Sequence, residues 1–307
     1  MPPGRNILLF HAGALGDFVL TWPLALALAR LHPQSRLFYV TQRGKGALAE
    51  RVLRVESADA DAGWHPLFAA GASGLGEAQA KLLAGAHSIV SFVAGREDTW
   101  TANVRKLAPA ADLLPMSVSP PAEFAGHVTD HLLTQLGAWP AAQAALGQFL
   151  HSLTSRGLLP RATAPARPVA IHPGSGARRK CWPAGRYLQL IERLRRGGRT
   201  VRVLVGEVEL EQWGAGELDR LAAAAEVVKP ADYVDLLDPL TGAAAFVGND
   251  TGPSHLAGII GVPTVALFGP SNPIHWRPLG PNVRVIHSPA IEAIEVDRVY
   301  GELSRLL

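Results

Sequence analysis

The chain contains almost no cysteine and carries little net charge. Cys181 is the single cysteine among 307 residues, so no disulfide forms within the chain, and this composition favours a reducing compartment. The formal net charge of +3 is too small to indicate a nucleic-acid partner. The calculated pI of about 9.2 is instead compatible with an anionic ligand or a membrane surface.

The sequence also lacks an apolar run that is long enough to cross a membrane. Phe18–Leu31 is the candidate, but a spanning helix needs about 20 apolar residues, and Pro23 interrupts the stretch. His11 and Asp17 fall where the apolar core of a signal peptide would lie. These features predict a core helix and a cytoplasmic protein, with peripheral contact at the inner membrane face left open.

Apolar residues are nevertheless abundant, and they form short runs that alternate with helical patterns. Hydrophobic residues make up 48% of the chain and charged residues 18%, which supports packed cores and not disorder. Continuous apolar runs with helices between them are typical of parallel sheets covered on both faces. In the first half, strands are predicted at Asn6–Phe10, Arg36–Val40 and His87–Val93, and helices at Phe18–Leu31, His127–Leu136 and Ala141–Leu153.

A change in composition divides the chain near its middle. Thr154–Pro168 contains three prolines and no apolar periodicity, which indicates a linker. Strands are then predicted at Val169–His172, Thr200–Val205, Ala244–Gly248, Thr264–Phe268 and Val283–Ile286. We therefore predict an α/β protein with two Rossmann-like domains, residues 1–153 and 169–290, whose parallel sheets face a central cleft, and a C-terminal helix at 291–307.

The first candidate site is the segment His11–Asp17 (HAGALGD), between the first strand and the first helix. In a parallel sheet this loop lies at the carboxyl edge, where ligands bind. Gly13 and Gly16 let the backbone approach a ligand closely. Asp17 lies where a helix begins, so it either stabilises the helix dipole or takes part in chemistry.

A nicotinamide or flavin enzyme is the obvious rival for a strand, glycine loop and helix in this order. The dinucleotide fingerprint needs G-x-G-x-x-G and an acidic residue at the end of the second strand. Only Gly13 and Gly16 are present, and the second strand continues into Val40-Thr41-Gln42 without a carboxylate. Both departures weaken that rival.

The second candidate site is His172–Pro183 (HPGSGARRKCWP), which also follows a strand and opens a helix, with Pro183 expected in the first helical turn. Small residues, a hydroxyl and three consecutive cations suit a diphosphate, although a solvated basic loop would have the same composition. The segment is neither a P-loop nor a nucleophile elbow. Cys181 has no identifiable partner for catalysis, so we interpret it as packed or inert.

Two further segments follow strands in the second half. Phe246–Ala257 (FVGNDTGPSHLA) places Asp250 or Thr251 at a helix N-cap with Pro253 just inside, and such a terminus binds anions. Leu267–Pro278 is a proline-rich loop with polar and aromatic groups, by itself a weak signal. The D-x-D triplet Asp59–Asp61 lies far from these motifs in sequence and is interpreted as a solvated turn.

Taken together, these segments resemble glycosyltransferase family 9, the family of the ADP-heptose:lipopolysaccharide heptosyltransferases. The matching pieces are GALGD, HPGSG with K-x-WP, NDTGPSH, and FGPSNP followed by HWRPLG, in the family order and over nearly the whole chain. The resemblance implies a GT-B fold, inversion at the anomeric carbon and no metal or other cofactor. It also implies that the donor is a nucleotide-diphosphate sugar, namely an ADP-sugar, with heptose as the sugar of the family. The implied acceptor is a cell-envelope glycan or a lipid-linked molecule.

The resemblance also assigns roles to individual residues. Asp17 matches the proposed general base. The residues that match contacts to the donor phosphates and sugar are Ser175, Gly176, Lys180, Asp250, Thr251, Gly252 and His255. Glu209 is the candidate for the nucleotide ribose, and His11, Gly13 and Gly16 are the acceptor-side candidates. Two alternatives stay open: a catalytically silent nucleotide-sugar-binding protein, and a sugar-nucleotide epimerase with the same fold.

Overall fold

The computed structural model describes residues 6–71, 74–161, 167–206, 213 and 215–307. The chain forms two compact units. The first extends through Phe124 and includes Val128–Leu150, and the second comprises Ala125–His127 and His151–Leu307. In the described part of the chain, no helix combines the length and the apolar character needed to cross a membrane.

The first unit is built on a five-stranded sheet in the order β3-β2-β1-β4-β5, with every pair parallel. Its strands are β1 (Asn6–Phe10), β2 (Arg36–Thr41), β3 (Glu56–Asp59), β4 (Ala86–Ser91) and β5 (Asp112–Pro115). Its helices are α1 (Leu15–Leu31), α2 (Arg43–Leu53), α3 (Glu77–Ala84), α4 (Thr99–Leu107) and α5 (Val128–Gln135), and α6 (Pro140–Leu153) continues into the second unit.

The second unit contains a six-stranded parallel sheet in the order β11-β10-β9-β6-β7-β8. Its strands are β6 (Val169–His172), β7 (Val201–Leu204), β8 (Glu226–Val228), β9 (Ala245–Asn249), β10 (Thr264–Phe268) and β11 (Val283–His287). Its helices are α7 (Ala184–Arg196), α8 (Ala215–Ala224), α9 (Leu237–Thr241), α10 (Gly252–Ile260), α11 (Pro273–Trp276) and α12 (Val296–Ser304). The α/β class and the two Rossmann-like domains are thus confirmed.

The strand order places a topological switch point in each sheet. In the first sheet, successive strands run outward from β1 through β2 to β3, and the chain then returns to β4 on the other side of β1. In the second sheet, β6 and β9 are the corresponding neighbours. Loops diverge at the carboxyl ends of such neighbours and leave a crevice, which is where ligands bind in doubly wound sheets.

The core of the first unit explains why its central elements form. Residues Ile7–Phe10 are buried, because helices cover both faces of a parallel strand. The neighbouring helix α1 is apolar on most sides, and Phe18 contacts both Trp22 and Tyr39 edge-on. Such aromatic pairs each add about 1 kcal/mol beyond the area they bury. This packing fixes the loop between β1 and α1.

Several element boundaries differ from those predicted from the sequence. Helix α1 begins at Leu15, three residues before the predicted Phe18, because Gly16 and Asp17 in its first turn interrupt the apolar periodicity. Pro183 is the N-cap of α7 and not part of its first turn. The predicted helix at 291–307 is a short 3-10 turn, Ile291–Ala293, followed by α12.

The D-x-D triplet and the proline-rich segment also differ from expectation. Asp59 ends strand β3 and is not part of a turn, although its Oδ1 accepts a hydrogen bond from the backbone of Asp61. The segment interpreted as a linker begins with residues bound to the second unit. The Leu158 amide donates to the Ile259 carbonyl at 2.9 Å, so this part of the segment is packed against the end of α10.

Candidate functional site

The loop between β1 and α1 brings together three of the predicted acceptor-side and catalytic residues. A Cβ atom at Gly13 would lie 3.1 Å from His11 Cε1 and 3.3 Å from Asp17 Oδ2. Gly13 therefore gives the two polar side chains room to approach each other across the loop. Gly16 and Asp17 occupy the first turn of α1, where the helix dipole favours a negative charge.

His11 is an uncharged side chain in this loop. Burial, with a smaller contribution from the Lys45 charge, lowers the pKa of His11 to about 3. The ring lies near Phe18 and Phe92, with centroid distances of 5.3 and 6.0 Å. Its Nδ1 is buried without a hydrogen-bond partner among the described residues. The residue is 1% exposed, and its contact with an acceptor stays a prediction.

Lys45 joins this cluster, although it was not among the site residues predicted from the sequence. Its Nζ donates to the Gly13 carbonyl at 2.6 Å, and the residue is only 2% exposed. Burial lowers the pKa of Lys45, while the charges of Asp17 and Asp61 oppose that shift. The available signal was a cation between Gly44 and Gly46, just after the buried strand β2 at the carboxyl edge of the sheet.

Gly46 sets the position of Lys45 relative to the sheet. A Cβ at Gly46 would lie 2.6 Å from Ser57 Oγ and 2.8 Å from Ser57 Cβ, so any larger residue would push α2 away from β3. The close packing of α2 on the sheet keeps Lys45, in the first turn of that helix, within reach of the Gly13 carbonyl.

The second group of predicted residues meets at the switch point between β6 and β9. Lys180 Nζ donates to Asp250 Oδ2 at 2.8 Å, and His255 Nε2 lies 3.6 Å from Asp250 Oδ1. Ser175 Oγ donates to the Asp250 carbonyl at 3.4 Å. Asp250 thus connects the loop after β6 with the first turn of α10.

Asp250 is ionised at neutral pH. Its burial raises the pKa, but interactions with His255 and Lys180 outweigh that effect and lower the pKa to about 2. The side chain of Asp250 is 8% exposed, whereas that of Lys180 is 31% exposed. The carboxylate therefore acts as an internal anchor, and the ammonium of Lys180 is accessible to an anionic ligand.

The N-terminus of α10 supplies further polar groups. Thr251 is the N-cap in an extended conformation, and its side chain makes no capping bond. Thr251 Oγ1 and His255 Nδ1 are buried without a hydrogen-bond partner in the described ranges. Gly252 begins the helix, and a Cβ at Gly176 in the facing loop would contact nothing within 4 Å. This combination of open space, unused polar atoms and a helix N-terminus is suited to phosphate oxygens.

Asn249 holds the loop after β6 and the loop after β9 in register, although no role of its own was predicted for it from the sequence. Its Oδ1 accepts from the Trp182 amide and from the Tyr187 hydroxyl, each at 3.0 Å. Its Nδ2 donates to the carbonyls of Pro173 at 2.7 Å and Gly174 at 3.0 Å. Asn249 is fully buried. A strand-terminal asparagine before an Asp-Thr-Gly turn was the available signal.

The contacts that the structure describes for the proline-rich loop after β10 are mainly structural. Asn272 caps α11 by accepting from the Ile274 amide at 3.0 Å. His275 Nδ1 donates to the Gly126 carbonyl at 2.8 Å, and His127 Nε2 donates to the Arg277 carbonyl at 2.9 Å. These two bonds attach residues 125–127 to the second unit.

The contacts above do not address two expectations, the ribose-binding residue and the absence of a metal. Glu209, the candidate for the nucleotide ribose, lies outside the described residues. Over the described ranges, no group of three or more His, Cys, Asp or Glu side chains is arranged to hold a metal ion.

Comparisons with known proteins show to which family the chain belongs. The model of "Glycosyltransferase family 9 (heptosyltransferase)" matches residues 139–302, which is more than half of the chain. Lipopolysaccharide heptosyltransferase 1 of Pseudomonas aeruginosa is 38% identical over 94 residues. That match covers 31% of this chain and 26% of the relative's length, so this chain matches only about a quarter of that relative.

Solved structures show the same fold over nearly the full length. A glycosyltransferase family 9 protein from Veillonella parvula superposes with a TM-score of 0.70 at 18% identity, covering 99% of this chain and 97% of that one. The E. coli heptosyltransferase WaaC with ADP gives a TM-score of 0.69 at 18% identity, covering 98% and 100% of the two chains. The predicted GT-B fold is therefore confirmed, and by its match to the family model the chain belongs to glycosyltransferase family 9.

Proposed function

We propose that this family member is an inverting, metal-independent glycosyltransferase that moves heptose from an ADP-sugar to a cell-envelope glycan or lipid-linked acceptor. Family membership supports sugar transfer. The donor assignment is supported by a neighbour that was solved with ADP, and the sugar and acceptor by relatives named lipopolysaccharide heptosyltransferases. A lipid-linked acceptor would bring the enzyme to the inner face of the membrane.

The observation that carries the proposal is the charge arrangement at the switch point of the second sheet. Lys180, partly exposed, is held at 2.8 Å from the buried Asp250 carboxylate. The N-terminus of α10 begins two residues later. A cation and a helix N-terminus both stabilise the charge that develops on a leaving diphosphate. The donor diphosphate would bind here.

Asp17 is the proposed base. In the reaction, the acceptor hydroxyl oxygen attacks the anomeric carbon while its proton passes to the Asp17 carboxylate. The bond from the anomeric carbon to the diphosphate oxygen breaks, and the diphosphate leaves with its electron pair. A single displacement of this kind inverts the anomeric centre. General-base catalysis by a positioned carboxylate contributes about a hundredfold to ten-thousandfold.

The test compares Asp17→Asn with Glu77→Gln. Both residues are acids in the first turn of a helix of the first unit, but Glu77 is exposed in α3. We expect Asp17→Asn to lower the turnover of sugar transfer by about a thousandfold and to leave donor affinity nearly unchanged, and Glu77→Gln to behave as wild type. Wild-type turnover in Asp17→Asn would refute the assignment of the base.

Two supporting measurements define the donor and the metal requirement. A thermal-shift screen with ADP-, GDP-, UDP- and CMP-sugars identifies the nucleotide, because a ligand that binds the folded state raises the melting temperature. We expect the ADP-sugar to give the largest shift and EDTA to leave transfer unchanged. Binding of a donor without any transfer or donor hydrolysis would instead identify a silent nucleotide-sugar-binding protein. Conversion of the donor without an acceptor would identify an epimerase.

A further inference from the structure

Lys45 is a nearly buried cation beside the loop between β1 and α1. Lysine is rarely buried unless it is paired, because removing an ammonium from water costs several kcal/mol. Here the residue is 2% exposed, so direct contact with a substrate is largely blocked. Its charge must therefore be compensated by the protein, and its effect must be transmitted through protein groups.

The groups around Lys45 come from several elements of the first unit. The Gly13 carbonyl, in the loop after β1, accepts from Nζ at 2.6 Å. Asp17 in α1 and Asp61 after β3 are the negative charges that act on the ammonium. His11, directly after β1, is the nearby titratable side chain and is neutral at physiological pH. Asp17 is thus one of two anions that stabilise the Lys45 ammonium. The same ammonium is hydrogen-bonded to the loop that leads to Asp17.

We propose that Lys45 is a positioning residue for Asp17: its ammonium fixes the Gly13 carbonyl, and with it the loop that leads to Asp17, and favours the ionised carboxylate. The catalytic role of Asp17 as a base rests on the proposed function, whereas the coupling between Lys45 and Asp17 is a property of the folded chain. The interaction is mutual, so the anion that stabilises a protonated lysine is itself stabilised by that lysine. A carboxylate must be ionised to accept a proton.

Three substitutions separate the charge from the hydrogen bond. Lys45→Met removes both and keeps an unbranched side chain, Lys45→Gln removes the charge and keeps an N–H donor, and Lys45→Arg keeps both. Arg51→Met is the matched control, because Arg51 is an exposed cation in the same helix. Circular dichroism establishes that each variant is folded.

The primary experiment measures the titration midpoint of the Asp17 side-chain carbon by NMR of ¹³C-aspartate-labelled protein, with Asp17→Asn for assignment. We expect the midpoint to rise by about one pH unit in Lys45→Met and Lys45→Gln. It should stay within a few tenths of a unit in Lys45→Arg and Arg51→Met. An unchanged midpoint in folded Lys45→Met or Lys45→Gln would overturn the proposal.

A reciprocal measurement needs no substitution at Lys45. The Lys45 Nζ midpoint, followed by ¹⁵N NMR, should fall in Asp17→Asn relative to wild type, and a midpoint that does not move would also overturn the proposal. In a transfer assay, Lys45→Gln should shift the acidic limb of the kcat profile to higher pH and leave the donor KM unchanged. Lys45→Met, which also loses the hydrogen bond to Gly13, should in addition lower kcat about tenfold near neutral pH, because the loop that leads to Asp17 is no longer fixed. If wild type transfers no sugar, the proposed function fails, while the two NMR titrations still decide the coupling.

Discussion

The four hydrogen bonds of Asn249 lead to a quantitative prediction about the second unit. Replacement by leucine keeps the approximate volume of the side chain but removes both its acceptor and its donors. It would leave the Trp182 amide, the Tyr187 hydroxyl and the carbonyls of Pro173 and Gly174 without their partner. Because Asn249 is fully buried, water cannot replace it without a local rearrangement.

The expected magnitude follows from these four groups. A buried polar group that loses its partner costs about 1–3 kcal/mol. The low end of that range is appropriate because the loops can relax, which gives about 4 kcal/mol for Asn249→Leu. Tyr187→Phe removes one of the four bonds and leaves Asn249 Oδ1 bonded to the Trp182 amide, so we expect about 1 kcal/mol for this matched control.

Hydrogen exchange measured by mass spectrometry is the suitable assay, because the two units need not unfold together. Core amides of β6 and β9 exchange through unfolding of their unit. A loss of about 4 kcal/mol speeds their exchange by roughly a thousandfold, and a loss of about 1 kcal/mol by roughly fivefold. Peptides from β1 and β4 should not change. Exchange in Asn249→Leu within tenfold of wild type would show that the network does not stabilise the unit as argued.

Two further predictions concern pH. The pKa of Asp250 is about 2 in the folded chain against 3.8 ordinarily, so its stabilisation, about 2 kcal/mol, is complete above pH 4 and disappears between pH 4 and 2. Unfolding of Asp250→Asn followed across that window should lack this pH dependence, and an identical slope would refute it. The pKa of His11 is about 3 when folded, so below pH 6.5 the unfolded chain binds the extra proton and stability falls by up to about 1.4 kcal/mol per pH unit. Acid unfolding of His11→Phe should be correspondingly less steep, and the His11 ring signals of wild type should not titrate between pH 8 and 5.

The sequence was informative wherever local pattern decides the structure. The strands Asn6–Phe10, Val169–His172 and Thr264–Phe268 were predicted at their observed bounds, because continuous apolar runs between loops are typical of buried parallel strands. Strands β3, β5 and β8 were not predicted. β5 is a four-residue strand at a sheet edge. β3 reads Glu-Ser-Ala-Asp and is only partly buried, and β8 is three residues long at a sheet edge. The strand character of β3, β5 and β8 depends on pairing with β2, β4 and β7, respectively.

The site was predictable in part for the same reason. Lys180, Asp250 and His255 were found because loops after strands with glycine, hydroxyl and charge are local signals, and the structure brings them together. Lys45 and Asn249 were missed because their roles depend on distant partners. Lys45 bonds Gly13 across 32 positions, and Asn249 bonds Trp182 across 67. No pattern within a single loop encodes those pairs.

The two lysines that act with aspartates, Lys45 and Lys180, differ in exposure and therefore in what each can contact. The nearly buried Lys45 can only act on the protein, so its charge fixes a loop and a carboxylate. The partly exposed Lys180 uses one of three N–H donors on Asp250, which leaves donors for a phosphate. Under the proposed function, the ionised Asp250 also offsets part of the loop's positive charge. That limits attraction for the released diphosphate, which matters because product release sets the rate of many enzymes.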